Sequence, residues 1–178
     1  MQTANTIIKE LNLEPLAEGG HFKRIFESSV KDSQGRRNGA AIYYLLTAPE
    51  FSCFHRVDCD ELWHFYAGNP ITLYQIDPHG QLTQTLVGNP LEHKGASPVV
   101  IVEKGKWFAA EIVDNIGFSL VGCTTTPEFL FEAYDIGNTE RLSNQYPQHR
   151  DLISRLTFQE KAPHNFPHSF EKNEPQNQ

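Results

Sequence analysis

The feature that most limits how this chain can fold is the regular alternation of short strand-like runs with turn-forming residues. Runs rich in β-branched and aromatic residues are separated by Gly, Pro, Asn and Asp at a spacing of about 8–12 residues, which is typical of sandwiches and barrels. We predict strands over 21–26, 40–46, 52–57, 61–66, 71–76, 82–87, 98–103, 107–113, 117–123 and 129–134. No helical pattern alternates with these runs, which argues against a parallel α/β sheet. An all-β sandwich or barrel is therefore expected.

Helical patterns occur at the two ends of the chain. Apolar residues at helical spacing predict a short N-terminal helix over 3–11 and a C-terminal helical segment over about 139–156. The strands between them predict a barrel over about 20–135. Residues 159–178 are polar and contain several prolines, which predicts an extended or mobile tail. We therefore expect a single domain over residues 1–158, followed by that tail.

Composition argues against several classes of function. The formal net charge of −7 offers no basic footprint for a nucleic acid. The longest apolar run, 40–46, is far shorter than the ~20 residues of a membrane helix, and the N-terminus lacks the pattern of a secretory signal. Three cysteines in such a chain argue against a disulfide framework. We expect a cytoplasmic protein with no nucleic-acid partner and no membrane partner.

The segment 52–68 carries the densest chemistry, and its pattern predicts a hairpin. Because side chains alternate across a strand, His55 shares a face with Val57. Glu61 shares a face with Phe65 for the same reason. If the apolar members of these pairs point into the core, the His and the Glu point inward as well. A buried His and a buried Glu are costly unless they bind each other, water or a ligand, so both are candidate catalytic residues.

Several motifs in the chain resemble those of the cupin superfamily. The pattern His55-x-Val57-x-x-x-Glu61-x6-Gly68 is similar to the first cupin motif, and residues 103–108 occupy the place of the second. The string E-L-W-H-F-Y beside H-R-V, and the string E-G-G-H-F-K nearer the N-terminus, resemble one cupin family in particular, whose function is largely unassigned. The resemblance implies an RmlC-like jelly-roll barrel or sandwich, often dimeric, with a pocket inside.

The resemblance departs from metal-binding cupins at two positions. Those proteins hold a metal ion with three histidines and one glutamate at the base of the pocket. His55 and Glu61 match two of these four positions, whereas Val57 and Phe108 occupy the other two. A divalent transition metal requires three or four N, O or S donors. We therefore expect a degenerate metal site, with no metal and no cofactor.

The implied pocket has mostly apolar and aromatic walls. The predicted ligand-binding residues are Val57, Trp63, Phe65, Trp107 and Phe108. Aromatic walls suit a sugar, a nucleotide-sugar or another planar small molecule.

Several functions stay open for such a pocket. One is a metal-free isomerase or epimerase in which His55 is the base and Glu61 or a tyrosine is the acid, as in the deoxysugar-nucleotide epimerases. The alternatives are a non-catalytic ligand-binding cupin and a metal-dependent cupin enzyme. The pair could also be a satisfied remnant of a metal site with no chemistry of its own. The tyrosines on candidate strands are Tyr43, Tyr44, Tyr66 and Tyr74.

Aromatic residues assigned to outer faces suggest self-association. Phe22 and Phe26 suit a strand-exchanging two-fold interface, and His64 and Tyr66 suit an outer sheet face or a dimer contact. The sequence therefore predicts a homodimer.

Overall fold

A short helix begins the part of the chain that the computed structural model describes, residues 3–158. Helix α1 spans Ala4–Leu11. The Thr3 hydroxyl accepts a hydrogen bond from the first turn, and Asn12 ends the helix in the left-handed conformation. The apolar side of α1 packs on Leu45 and so covers part of the outer face of a sheet.

Two sheets of neighbouring antiparallel strands make up the body of the described chain. The strands are β1 (Glu14–Pro15), β2 (His21–Glu27), β3 (Ala40–Thr47), β4 (Phe51–Arg56), β5 (Asp60–Gly68), β6 (Ile71–Ile76), β7 (Leu82–Val87), β8 (Val99–Val102), β9 (Trp107–Ile112), β10 (Phe118–Thr126) and β11 (Asp135–Ile136). The first sheet has the order β1-β2-β3-β10-β5-β8, and the second has the order β11-β4-β9-β6-β7. Non-consecutive neighbours in both sheets show that the chain crosses between them repeatedly.

The main core lies between the inner faces of the two sheets. Trp63 and Val121 project into it from the first sheet, and Leu73 and Phe108 project into it from the second. The period-two alternation of apolar residues creates these faces, because successive side chains of a strand point to opposite sides. The side chains of both sheets therefore interdigitate as in a β-sandwich.

The outer face of the second sheet is covered by the C-terminal helices. Helix α2 spans Thr139–Gln145, and α3 spans Arg150–Arg155 after a 3₁₀ turn that begins at Pro147. Pro suits the first position of a helical turn, where its missing N–H costs no hydrogen bond. A second apolar cluster under these helices contains Phe54, Ile76, Trp107, Leu142, Ile153 and Leu156.

The predicted fold class is confirmed: the chain forms an all-β jelly-roll sandwich with a short N-terminal helix and C-terminal helical segments. The predicted tail, 159–178, lies outside the described residues. Among residues 3–158, the structure contains no helix with the length and apolar character needed to cross a membrane.

The predicted strand over 129–134 is wrong. The segment forms a 3₁₀ turn at Phe131–Ala133, and its amides bond locally, from Ala133 to the Leu130 carbonyl at 3.1 Å and from Tyr134 to the Phe131 carbonyl at 3.3 Å. Its apolar residues mimic a strand pattern because Phe129 and Phe131 cover a cavity rather than line a sheet.

The outward orientation predicted for Phe22 is also wrong. Phe22 lies opposite Tyr44 in the ladder between β2 and β3, and both side chains lie on the inner face. Phe26 is exposed, because a register shift in β2 turns it to the other face. The homodimer stays a prediction.

Candidate functional site

A cavity of about 50 Å³ lies between the sheets, bordered by β2, β3, β4, β5 and β10. Its apolar wall includes Leu16, Phe22, Ile42, Val57, Phe129 and Phe131. Its polar and charged groups are Glu18, Arg24, His55, Glu61 and Thr125. One water molecule requires about 10–15 Å³ of such space, so this cavity accommodates a few waters or one small chemical group.

A β-bulge in β4 positions His55. The register of β4 against β9 shifts between Ser52 and His55, which leaves the backbone of Cys53 out of the ladder. The Cys53 amide donates to the Glu18 carbonyl at 2.7 Å. Nδ1 of His55 donates to the Cys53 carbonyl, also at 2.7 Å. The bulge therefore connects the imidazole to the loop that carries Glu18.

This hydrogen bond selects one tautomer of His55. A carbonyl oxygen only accepts, so Nδ1 carries the hydrogen and Nε2 of the neutral ring keeps its lone pair. Among the described residues, Nε2 has no hydrogen-bond partner, and the ring borders the cavity. His55 is 3% exposed, and burial lowers its pKa below the usual 6.5, although the nearby charge of Glu18 opposes this shift. The ring is therefore a neutral base near pH 7.

Glu61 is the second titratable group of the cavity. It lies near the start of β5, opposite Thr125 of β10, and is 8% exposed. Burial raises its pKa from 4.5 to about 7; the Cys123 thiol reduces this rise, and the charge of Glu18 adds to it. A substantial fraction of Glu61 is therefore protonated at neutral pH and can donate a proton.

His55 and Glu61 border the same cavity without bonding each other. Within residues 3–158, the hydrogen bonds and ion pairs of the structure include none between these two side chains. The alternative in which the two groups satisfy one another does not match this arrangement. Both retain hydrogen-bonding capacity for a molecule in the cavity.

Glu18 and Tyr134 belong to this site, and the sequence reasoning did not select either as a site residue. The Tyr134 hydroxyl donates to Glu18 at 2.6 Å, and the Tyr134 ring centroid lies 5.5 Å from that of His55. Gly19 permits the arrangement, because its φ of +111° and its close approach to the Phe51 carbonyl exclude a Cβ. The E-G-G-H string that supports the family resemblance is a signal that could have identified Glu18.

The predicted ligand-binding residues separate into cavity wall and core. Val57 lines the cavity, and the Phe108 ring centroid lies 4.0 Å from that of His55. Trp63 lies deeper, where it packs edge-on against Phe108 with centroids 6.4 Å apart. Phe65 is partly buried against the same core. Trp63, Phe65 and Phe108 therefore support the cavity without lining it.

Trp107 does not lie at this cavity, which corrects the predicted position. It precedes Phe108 on β9 and so points to the opposite face of the sheet, under the C-terminal helices. The guanidinium groups of Arg56 and Arg141 lie 4.7 and 5.2 Å from its ring centroid. The alternation of side chains along β9 therefore separates Trp107 from the cavity.

The four tyrosines proposed as acid partners lie elsewhere. Tyr44 donates to the Gly19 carbonyl at 2.9 Å, and Tyr74 donates to Glu111 at 2.7 Å on the outer face of the second sheet. Tyr43 and Tyr66 pack edge-on, with centroids 6.2 Å apart, on the outer face of the first sheet. The tyrosine whose ring packs against His55 is Tyr134, which belongs to the segment 129–134 wrongly predicted to be a strand.

The residues present do not fit the metal ion of the metal-binding cupins. Phe108 lies directly opposite His55 in the ladder between β4 and β9, so its ring fills the position of a histidine ligand. Val57 fills another such position with an aliphatic side chain. In the described part of the chain, no group of three His, Cys, Asp or Glu residues is close enough to hold a metal ion. Two donors hold a divalent metal only weakly.

The sequence matches the model of a family described as Cupin superfamily (DUF985) over residues 5–137. No curated protein matches it at a significant level. The structure is similar to that of protein SO0799 from Shewanella oneidensis, with 38% identity, a TM-score of 0.85 and coverage of 90% of this chain and 100% of that chain. A hypothetical protein from Leishmania major is 31% identical, with a TM-score of 0.80 and coverage of 88% and 99%.

More distant cupins share the fold. Oxalate decarboxylase from Bacillus subtilis is 13% identical, with a TM-score of 0.54, and the match covers 83% of this chain and 37% of the decarboxylase. Identity at that level shows a common architecture and carries no information on activity. The family match spans most of the chain, and two similar structures exceed 30% identity over nearly their whole length. The chain therefore belongs to the cupin superfamily, in the family DUF985.

Proposed function

We propose that this cupin binds a small organic molecule in its cavity and transfers protons to and from it without a metal, as an isomerase or epimerase does. The observation that carries the proposal is the pairing of complementary groups around one cavity: a neutral imidazole with a free Nε2 and a glutamic acid with a pKa of about 7. Groups with pKa values near the working pH are the effective general acids and bases.

The proton transfers balance within this pair. His55 Nε2 takes the proton from a carbon next to a carbonyl group and becomes imidazolium. Glu61 gives its proton to the carbonyl oxygen and becomes carboxylate, so the substrate becomes a neutral enol and the site gains no net charge. Return of the proton from His55 to the same face restores that centre, and its return after the enol has turned its other face to His55 inverts it; in both cases Glu61 takes back the enol proton. If the neighbouring carbon bears a hydroxyl group, His55 returns the proton to that carbon of the original carbonyl while Glu61 takes the proton of that hydroxyl, and the carbonyl group moves.

The apolar wall supports this chemistry. The side chains of Phe22, Val57 and Phe129 surround the polar groups with apolar atoms, so the interaction between His55, Glu61 and a bound oxygen atom is stronger than in bulk water. The Phe108 ring against His55 restricts the imidazole to one orientation. Both effects reduce the reorganisation that proton transfer requires.

Deuterium exchange tests the proposal directly. A panel of short 2-hydroxy acids, 2-oxo acids and small sugars is incubated with the protein in D₂O, and loss of the C–H signal next to the carbonyl or carboxyl group is followed by proton NMR. We expect exchange with at least one compound, and a rate about 10²–10⁴-fold lower in His55→Gln.

The matched control is His64→Gln. His64 lies on the outer face of β5, where its Nε2 lies 3.2 Å from the Thr124 hydroxyl, so its loss should leave the exchange rate unchanged. Equal exchange rates in the wild type and in His55→Gln, or exchange with no compound of the panel, would contradict the proposed catalysis.

A second candidate is a binding protein without catalysis. The predominance of apolar residues around the cavity favours it, because such walls bind small molecules whether or not a reaction follows. Saturable binding of a panel compound with no exchange in any variant would support this alternative.

A further inference from the structure

Arg24 is the cation among the described residues that line the cavity. It lies on β2, at the opposite edge of the cavity from Glu61 on β5, with two strands between them in the sheet order. Its side chain is 28% exposed, so it is reached from solvent and also borders the interior. A charge in this position requires an explanation, because arginine is rarely turned toward a core without a partner there.

The alternation of β2 turns Arg24 inward, and a β-bulge follows it. Phe22, Lys23 and Arg24 pair in register with β3, so Arg24 shares the inner face with Phe22. The register shifts after Arg24 and before Phe26, so β2 carries one residue more than its partner there. Phe26 is therefore exposed, while Arg24 lines the cavity together with Ile42.

The ion pair of Arg24 within the chain is exchangeable. Its Nη1 lies 3.1 Å from Oε1 of Glu27, three residues along the strand, in a pair that is open to solvent. Glu27 also has a second cation, since Nε of Arg37 lies 3.5 Å from its other oxygen. Solvent-exposed pairs of this kind contribute little to stability. Arg24 can therefore bind an external anion without leaving Glu27 unpaired.

The size of the cavity suits a short ligand. Arg24 and Glu61 both line the same cavity, whose volume is about 50 Å³. A molecule inside it that contacts both groups is therefore small, and its charged end lies close to its reactive carbon.

We propose that Arg24 is the anion-binding residue of this cavity and that the ligand is a small monocarboxylate with a carbonyl or hydroxyl group near the carboxylate. The identification of the reacting end depends on the function proposed above. The planar guanidinium of Arg24 binds a carboxylate through two parallel hydrogen bonds. A monoanion fits better than a dianion, because the carboxylate of Glu18 also lines the cavity and repels further negative charge.

The test compares acids with their uncharged amides. Pyruvate, lactate and glycerate, and the corresponding amides, are titrated into the protein while the His55 imidazole signals are followed by NMR. We expect the acids to shift these signals saturably and to bind at least about tenfold more tightly than the amides. Equal affinity for acids and amides, or no shift with any acid, would overturn the proposal.

Two variants of the same strand make the test specific. Arg24→Gln should weaken acid binding by at least about tenfold and leave amide binding unchanged, and Arg24→Lys should fall between. Lys23→Gln removes the same charge from the opposite face of β2, next to Tyr43, and should have no effect. Thermal melting and the backbone NMR spectrum verify that each variant is folded. If Arg24→Gln binds acids as Lys23→Gln does, the proposal is wrong.

The outcomes separate this inference from the proposed catalysis. Acid binding that depends on Arg24, with no proton exchange sensitive to His55, retains the anion site and contradicts the catalytic function. Proton exchange in the acids that depends on His55, with acid binding and exchange both unaffected by Arg24→Gln, retains the catalytic function and contradicts the anion site.

Discussion

On β4 and β9, neighbouring residues point to opposite faces of the sheet, and the polar groups on the two faces differ in how fully they are paired. On the outer face, Arg56 donates to Asp135 at 2.9 Å and stacks on Trp107. Arg141 of α2 donates to the same carboxylate at 2.8 Å. Each of these charges has a partner, and together they attach the C-terminal helices to the second sheet.

On the inner face, the next residues along the same strands are His55 and Phe108. His55 uses Nδ1 to bind its own strand and leaves Nε2 without a partner among the described residues. Glu61, across the cavity, is buried with a raised pKa and forms no ion pair in the described structure. The comparison indicates that satisfied charges on one face hold the fold together, whereas incompletely satisfied groups on the other are available to a ligand.

The largest effect on stability should come from the outer face. Trp107→Ala removes a fully enclosed indole beneath two guanidinium groups, and we expect the free energy of unfolding to fall by about 3–5 kcal/mol. Trp107→Phe keeps most of the packing, so its free energy of unfolding should fall by clearly less. Urea denaturation measures both changes. At a temperature where the Ala variant is folded, it should exchange substrate protons at the wild-type rate; a loss of exchange equal to that of His55→Gln would contradict the separation of the two faces.

Glu61 should give a smaller, pH-dependent effect on stability. Its pKa is about 7 in the folded protein, compared with its ordinary value of 4.5. Between pH 4.5 and pH 7 the folded state therefore binds more protons than the unfolded state, so the stability of the protein decreases as the pH rises through this range. Glu61→Gln removes this dependence and should be more stable than the wild type at pH 8 by up to about 3 kcal/mol, but similar at pH 4.5.

Urea unfolding of wild type and Glu61→Gln across that pH range measures this difference. The exposed Glu92 provides the control, since Glu92→Gln should change the unfolding free energy by less than about 0.5 kcal/mol at every pH. A Glu61→Gln variant that is less stable than the wild type at pH 8 would show that the carboxylate has a partner which the structure lacks.

Replacement of Glu18 should have the smallest effect, a shift in the pH dependence of kcat/KM. The proposed reaction requires neutral His55 and protonated Glu61, so kcat/KM should depend on pH as a bell-shaped curve. The acid limb reflects protonation of His55, at a pH below the usual histidine pKa, and the alkaline limb reflects ionisation of Glu61 near pH 7. The Glu18 charge raises the pKa of both groups, so Glu18→Gln should shift both limbs to lower pH by less than about one unit. Gln can still accept from Tyr134, which limits the structural change. A shift toward higher pH, or a change in one limb alone, would contradict this account.

Much of the architecture could be predicted because it depends on local pattern. Alternating apolar residues in β5 and β10 define which face of each strand is buried, and turn-forming residues mark where strands end. The inward orientation of His55 and Glu61 follows from the same alternation. The segment 129–134 shows the limit of that reasoning, since alternating apolar residues also arise where a loop covers a cavity.

The sequence by itself determined the fold class and the family. It also determined that the imidazole of His55 and the carboxyl group of Glu61 point inward, because each of these features depends on residue identity and strand periodicity. Tertiary structure alone decided that Glu18, Arg24 and Tyr134 join them. The physical reason is that partners distant in the chain meet only when the sheets pack, and that the bulge in β4 frees the Cys53 amide to bind the Glu18 carbonyl. The pKa of Glu61 likewise depends on burial, which no run of residues specifies without the surrounding protein.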